Sequence, residues 1–307
     1  MISLLLAKQI AELFLMLIMG FVLVRAHFLK STSSESLSVV ALYLVTPCVI
    51  IESFQVKLTS ETRYGLILAF VAAILIHIVL MVLSKVFEKS LHLNRIEKVS
   101  IIYSNAGNLI IPIVTAVLGK EWIIYSSAYI SIQLIALWTH GRITISGDNK
   151  INIKKILVNI NMIAIFVGII LFFTGLKLPQ IINETFTSVG DMIGPICMIV
   201  TGMLIGDMNL KKILSYKRIY LITFLRMIAY PLVILAMLKF SGASTLITNG
   251  KTILLISFLA TVTPSSATVT QMAQIYGEDA EYASVINVVT TIVCIVTMPI
   301  MVALYMA

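Results

Sequence analysis

Two short stretches set small polar side chains beside a proline inside otherwise apolar sequence. One reads Ser104-Asn105-Ala106-Gly107-Asn108-Leu109-Ile110-Ile111-Pro112, the other Thr263-Pro264-Ser265-Ser266-Ala267-Thr268. A proline within a helix lacks an N–H and displaces the carbonyl four residues back, here those of Asn108 and Ala260. In hydrocarbon an unsatisfied peptide group costs roughly several kcal/mol, so such backbone is expected only where protein buries it or a wet cavity borders it. The half-helix after each proline would present free N–H groups and a positive dipole end. On this reading the donors are Ile113 and Val114 in one segment and Ser265, Ser266 and Ala267 in the other. Two such ends meeting at mid-depth would hold an anion without any fixed positive charge. Asn105 and Asn108 add amides, and Thr263, Ser265 and Ser266 add hydroxyls. With Pro112 and Pro264 they form the expected substrate-binding set. Small polar residues also join membrane helices together, but Asn-x-x-Asn-x-x-x-Pro opposite Thr-Pro-Ser-Ser favours a site.

The rest of the chain has to hold these stretches inside a membrane. Of 307 residues, 59% are apolar and 12% are Asp, Glu, Lys or Arg. An ordinary soluble domain carries roughly 25% charged residues. Mean hydropathy is +1.04. So few charges cannot cover a soluble surface, and with Gly at 15 and Pro at 7 the chain is neither collagen-like nor disordered. A bilayer core needs about 20 apolar residues per helix. Ten runs qualify, at 4–24, 37–54, 64–86, 99–118, 123–140, 156–175, 189–206, 219–240, 252–275 and 282–305. They are long and continuously apolar, which indicates helices rather than alternating barrel strands. The first run is not a cleavable signal, because Lys8 and Glu12 lie in its first turns and no small-residue cleavage site follows.

The net charge of +8 is a statement about orientation. Fourteen of the 22 Lys and Arg residues fall in loops after odd-numbered runs, among them Lys85, Lys89, Arg95, Lys98, Arg142, Lys150, Lys154, Lys155, Lys211, Lys212, Lys217 and Arg218. Positive-inside placement puts those loops in the cytoplasm and both termini outside a plasma (bacterial inner) membrane.

An odd number of runs per half would insert the second half upside down. The division is expected as a first five-helix repeat at 1–140, a cytoplasmic linker at 141–155 and an inverted repeat at 156–307. Pro47 answers Pro195 at an offset of 148, and Pro112 answers Pro264 at an offset of 152. The expected fold class is therefore an all-α membrane protein with two crossed, proline-broken helices, spans 4 and 9. Matching broken helices in matching halves point to a transporter's binding site.

Four further residues lie at depth. His77 and Arg226 are ionisable groups inside runs 3 and 8, at an offset of 149. Intramembrane ionisable groups are functional candidates. Arg226 suits a substrate carboxylate, an acidic partner or backbone carbonyls; His77 suits proton carriage or a satisfied interior ring. Gln133 and Asn287, offset by 154, could support the crossover from behind. Glu52 and Asp191 fall near run ends, where water reaches them. Cys48, Cys197 and Cys294 are scattered in apolar runs, so neither a disulfide framework nor a metal site is expected. No cofactor is expected either. Carboxylates beside neither proline argue against sodium coupling, while proton coupling and voltage-driven export stay open. No metalloprotease, serine-hydrolase or Asp-rich metal motif is present, so enzyme activity is not expected.

The order of several motifs resembles the auxin efflux carrier family of membrane transporters. The family includes bacterial malonate- and malate-type permeases and PIN-type auxin carriers, and is distantly like bile acid:sodium symporters. Asn105-Ala106-Gly107-Asn108-Leu109-Ile110-Ile111-Pro112 resembles its Asn/Gly stretch ending in proline. Trp138-Thr139-His140-Gly141 is similar to its W-T-L-G, with His in place of Leu. Asn159-Ile160-Asn161-Met162-Ile163-Ala164 resembles N-P-P-L-I-A without the prolines. Arg226 to Pro231 is similar to an R-L…P pattern, and Pro264-Ser265-Ser266-Ala267 with Tyr276-Gly277-Glu278-Asp279 resembles P-x-A…Y-G-G-D, with Glu278 for the second Gly. The resemblance implies a scaffold of spans 1, 2, 6 and 7, which is also the homodimer contact. It implies a moving domain of spans 3–5 and 8–10, and elevator-type alternating access. It also implies a small organic acid substrate such as malate, malonate or an auxin-like carboxylate. The alternative is an anion channel or uniporter-like leak without coupling, because broken helices also line pores. Nucleic acid is not an expected partner.

Overall fold

The computed structural model describes residues 2–57, 59–148, 157–207 and 216–307, with side chains from residue 11 onward. The linker expected at 141–155 lies outside the described residues from 149 on, as do Lys150, Lys154, Lys155, Lys211, Lys212 and the side chain of Lys8.

The described residues are helical, with one isolated bridge and no strand. In chain order the main helices are α1 (Ile2–Arg25), α2 (Ser31–Ser53), α3 (Ser60–Leu91), α4 (Arg95–Ile102), α5 (Ala106–Val117) and α6 (Lys120–Ser146). They continue as α7 (Ile160–Thr174), α8 (Gln180–Gly206), α9 (Arg218–Phe240), α10 (Gly250–Val262), α11 (Ala267–Tyr276) and α12 (Ala280–Met306). Among the described residues six of these, α2, α3, α6, α8, α9 and α12, are long and apolar enough to cross a membrane by themselves. The shorter apolar helices α5, α7 and α10 have 12, 15 and 13 residues.

Two packed groups make up the molecule. α1 lies along α8, and α2 packs on α7 and α8. α3 packs on α6 and α10, and α12 touches α9, α10 and α11. The groups meet where α5 and α12 rest on α1 and α8, and where α6 reaches α2 and α7. Large apolar side chains such as Leu15, Val82, Val86, Ile170 and Val296 face outward, as a lipid-facing surface requires.

Glycines set the closest of these contacts. A Cβ on Gly202 would lie 1.9 Å from the Leu17 carbonyl oxygen, and one on Gly20 would lie 2.1 Å from that of Ile199. Gly202 and Gly206 form a G-x-x-x-G pair, the spacing that lets two membrane helices bring their backbones together. Where no hydrophobic force acts between helices, this dispersion contact holds the pair.

Prolines act locally on two of the helices. Pro47 and Pro231 follow wide π turns at Ala41–Val45 and Leu225–Ala229. A proline cannot donate to the carbonyl four residues back, and one wider turn absorbs the mismatch. The break in the first polar stretch differs from the expectation. It falls at Tyr103–Asn105, and Pro112 stays inside α5. Pro112 removes a single N–H that packed neighbours tolerate, whereas residues 103–105 leave the helix because their peptides bond to another chain segment. In the second stretch the break does include Pro264, between α10 and α11.

Gly202→Ala forces α1 and α8 apart and should cost about 1–3 kcal/mol of stability. Gly107→Ala, whose Cβ would meet nothing within 4 Å, should leave the melting temperature unchanged. Thermal unfolding of both variants in one detergent checks the pair.

Candidate functional site

The two breaks meet. Ser104 and Ser265 form an antiparallel bridge. The Asn105 N–H donates to the Pro264 carbonyl at 2.7 Å, and the Ser266 N–H donates to the Tyr103 carbonyl at 3.0 Å. Each unwound peptide thus satisfies the other inside the protein, where Tyr103, Ser104 and Ser265 are fully buried.

A second layer grips both strands of this crossing. The Gln133 amide spans Ser104. Its Oε1 accepts from the Ser104 N–H at 3.2 Å and hydroxyl at 2.6 Å, and its Nε2 donates to the Ser104 carbonyl at 2.8 Å. On the other strand Asn287 Nδ2 donates to the Ser265 carbonyl, and the Ser265 N–H donates to Thr290 Oγ1 at 3.1 Å. Gln133 comes from α6 and Asn287 and Thr290 from α12. Thr290 was not among the sequence candidates; it lies one turn beyond Asn287 on the same helix face, a spacing that could have found it.

Arg226 closes the crossing from the side of α4 and α10. It is fully buried. Nη1 donates to the Ile101 carbonyl at 3.1 Å, and Nη2 donates to those of Thr261 and Thr263 at 2.8 and 2.7 Å. These are the carbonyls at the C-terminal ends of α4 and α10, which have no intrahelical partner. The wide turn at Leu225–Ala229 carries the side chain there. Of the three roles open from sequence, the backbone-carbonyl one is what the geometry displays.

On the opposite side α5 and α11 begin. With the first break at 103–105, the leading N–H groups of α5 are those of Ala106 and Gly107; Ile113 and Val114, expected as donors, sit well inside the helix. In α11 the Ser265 and Ser266 N–H groups are used within the crossing and Thr268 donates to Ser266 Oγ, which leaves Ala267. The side-chain amides of Asn105 and Asn108 have no hydrogen-bond partner among the described residues; Asn105 is buried, with 8% exposure, and Asn108 is part-exposed. The hydroxyls behave differently. Thr263 donates to the Ala260 carbonyl, and Ser265 Oγ is buried with no partner among the described residues. Thr263, Ser265 and Ser266 are all buried, so they support the crossing rather than line open space.

Pro112 and Pro264 border two cavities between the packed groups. One, of about 180 Å³, is lined by Pro112, Glu12, Glu52, Lys120 and Asp191. Lys120 Nζ lies 2.6 Å from Asp191 and 4.0 Å from Glu52, and Thr187 donates to Glu52 at 2.6 Å. The second, of about 30 Å³, runs past Pro264, Leu109 and Ile113 against Leu13 and Met198. His77 is buried, with Nδ1 2.7 Å from the Ala73 carbonyl and its ring 4.9 Å from that of Tyr129. No cluster of three metal-ligating side chains occurs among the described residues, and the three cysteines are free and buried.

At the mouth of α4, ahead of the apolar stretch, Glu97 ties three helices together. It accepts from Arg218 at 2.6 and 2.7 Å, from the Tyr282 hydroxyl at 2.9 Å and from the Asn94 N–H at 2.9 Å. Sequence reading missed it, although Asn94-x-x-Glu97 is a capping box in plain view. Burial by itself would raise its pKa, but the hydrogen bonds from Arg218, Asn94 and Tyr282 outweigh burial and hold the carboxyl below its ordinary value.

A depressed carboxyl pKa stabilises the fold above the unfolded pKa, and that stability is lost as pH falls through the folded one. Glu97→Gln should therefore lower stability by about 2 kcal/mol at pH 7 and flatten the acid limb of the profile below pH 4.5. Melting curves between neutral and acid pH measure both effects.

A family model described as "Membrane transport protein" matches residues 5–151 and 142–302. No curated protein matches the chain. Matches across nearly the whole length, on a bundle of apolar helices, carry one conclusion: the chain is a multi-pass membrane protein and belongs to this membrane transport family, that of the auxin efflux carriers.

Proposed function

We propose that the protein is a secondary transporter that holds a small organic anion at the crossing and carries it across the membrane. One observation carries this reading: the N-terminal ends of α5 and α11 are pinned together by the Ser104–Ser265 bridge, with the Asn105 and Asn108 amides beside them free of protein partners among the described residues. Helix N-termini favour negative charge, and neutral amides add donors without a desolvated cation.

The mechanism we infer is an elevator-type shift. The two packed groups support it. α1, α2, α7 and α8 form one, which also supplies the homodimer contact in this reading. The other carries the crossing. Cavities of about 180 and 30 Å³ along their junction supply room for relative movement, and the Lys120–Asp191 pair spans the junction at 2.6 Å. In this reading α4 with α5, and α10 with α11, each cross once, so that the chain spans the membrane ten times as an inverted five-plus-five repeat. The plasma membrane location, with both termini outside, rests on the distribution of Lys and Arg. Carboxylates of the malate, malonate or auxin class fit the crossing's chemistry.

Asn108→Ala should reduce uptake of a labelled carboxylate by about tenfold or more, the loss of one to two donors to a charged group, while the melting temperature stays near that of the parent. Saturable counterflow in proteoliposomes supports the carrier; conductance without saturation would sink it in favour of a channel.

A further inference from the structure

The crossing has two polarities, and only one of them is neutralised. α4 and α10 end at it with carbonyls that lack intrahelical partners, and α5 and α11 begin at it with the N–H groups of Ala106, Gly107 and Ala267 unpaired among the described residues. Each helix end carries roughly half an elementary charge, negative at the C-terminus and positive at the N-terminus. The two negative ends receive the full positive charge of Arg226, through Ile101, Thr261 and Thr263. Among the described residues no carboxylate accepts from the N–H groups of the two positive ends. None of the 14 Asp and Glu residues falls between Glu97 and Glu121 or between Asp207 and Glu278. The N-caps there are Asn105 and Ser266, both uncharged. Among the described residues no carboxylate bonds to Arg226 either.

We propose that Arg226 is the specificity-determining residue of the crossing: by cancelling the two C-terminal ends without touching the substrate, it leaves about one positive charge at the N-terminal ends, matched to one carboxylate group. This rests on the anion-binding reading above. Without Arg226 the four helix ends would cancel one another, and the crossing would lose its preference for an anion over a neutral molecule of the same shape. A second carboxylate on the same substrate finds no further uncompensated charge at the crossing and has to lie away from it. The charge acts across the bridge inside a region of low dielectric, where it is poorly screened.

Binding of propionate, malonate and the neutral isostere propionamide to the purified full-length protein tests the assignment. The parent should bind a carboxylate probe and reject propionamide. Arg226→Lys keeps the charge and should stay within about threefold, while Arg226→Gln should lose about tenfold or more and with it the discrimination against propionamide. Asn105→Asp adds a negative charge at the other pole with Arg226 intact. It should lose about tenfold more affinity than its uncharged comparison, Asn105→Ser. A clasp that is only structural would show Arg226→Lys falling as far as Arg226→Gln, because an ammonium cannot bridge three carbonyls, and Asn105→Asp binding like Asn105→Ser; that result overturns the proposal. If neither Arg226 variant folds, the Asn105 pair decides it by the same criterion. Absence of carboxylate binding by the parent overturns the anion reading itself, whereas parent binding that Asn108→Ala abolishes and the charge variants leave untouched overturns the role of Arg226 alone.

Discussion

Peptide groups at the middle of a membrane protein must find partners inside the protein, and everything around the crossing follows from that requirement. Residues 103–105 and 263–266 leave their helices. Their N–H and C=O groups would each cost several kcal/mol, roughly, if left bare in hydrocarbon. The Ser104–Ser265 bridge satisfies the inner pair. Gln133 on one strand and Asn287 with Thr290 on the other satisfy the outer edges. A buried polar network is stabilising only when its members are paired, so these positions constrain one another. Loss of one amide would expose a peptide group on a strand that also holds its neighbour.

The same arrangement sorts charge. Arg226 serves the carbonyl ends of α4 and α10, and at the N–H ends of α5 and α11 Gly107, Asn108 and Ala267 are part-exposed while Asn105 is buried. The Asn105 and Asn108 amides are without hydrogen-bond partners among the described residues, while the hydroxyls of Thr263 and Ser265 are sealed inside. Under the proposed function, backbone dipoles fixed by hydrogen bonds need not reorganise when an anion arrives, which is the advantage of preorganised donors over mobile charged side chains.

Around the crossing, packing divides the molecule unevenly. α1 and α8 approach through glycines so closely that a methyl group would strike backbone. At the other end of the second group, Glu97 fastens α4 to α9 and α12. Between the groups lie cavities, apolar side chains and the partly exposed Lys120–Asp191 pair. Contacts within a group are thus tight or doubly hydrogen-bonded, while the two cavities lie between the groups.

The sequence by itself determined the solvent, the helical class and the places where helices are interrupted by polar residues, because hydropathy and small polar side chains are local properties of the chain. Asn105, Asn108 and Pro264 stood out for that reason. Tertiary structure decided the rest. It moved the first break from Pro112 to Tyr103–Asn105, since a helix yields where a partner strand offers hydrogen bonds rather than where one N–H is missing. It directed Arg226 to carbonyls 35, 37 and 125 residues away, turned Thr263 and Ser265 inward, and joined Glu97 to Arg218 and Tyr282. Each of those outcomes depends on which distant groups are close enough to bond, and residue spacing along one chain carries no record of that distance.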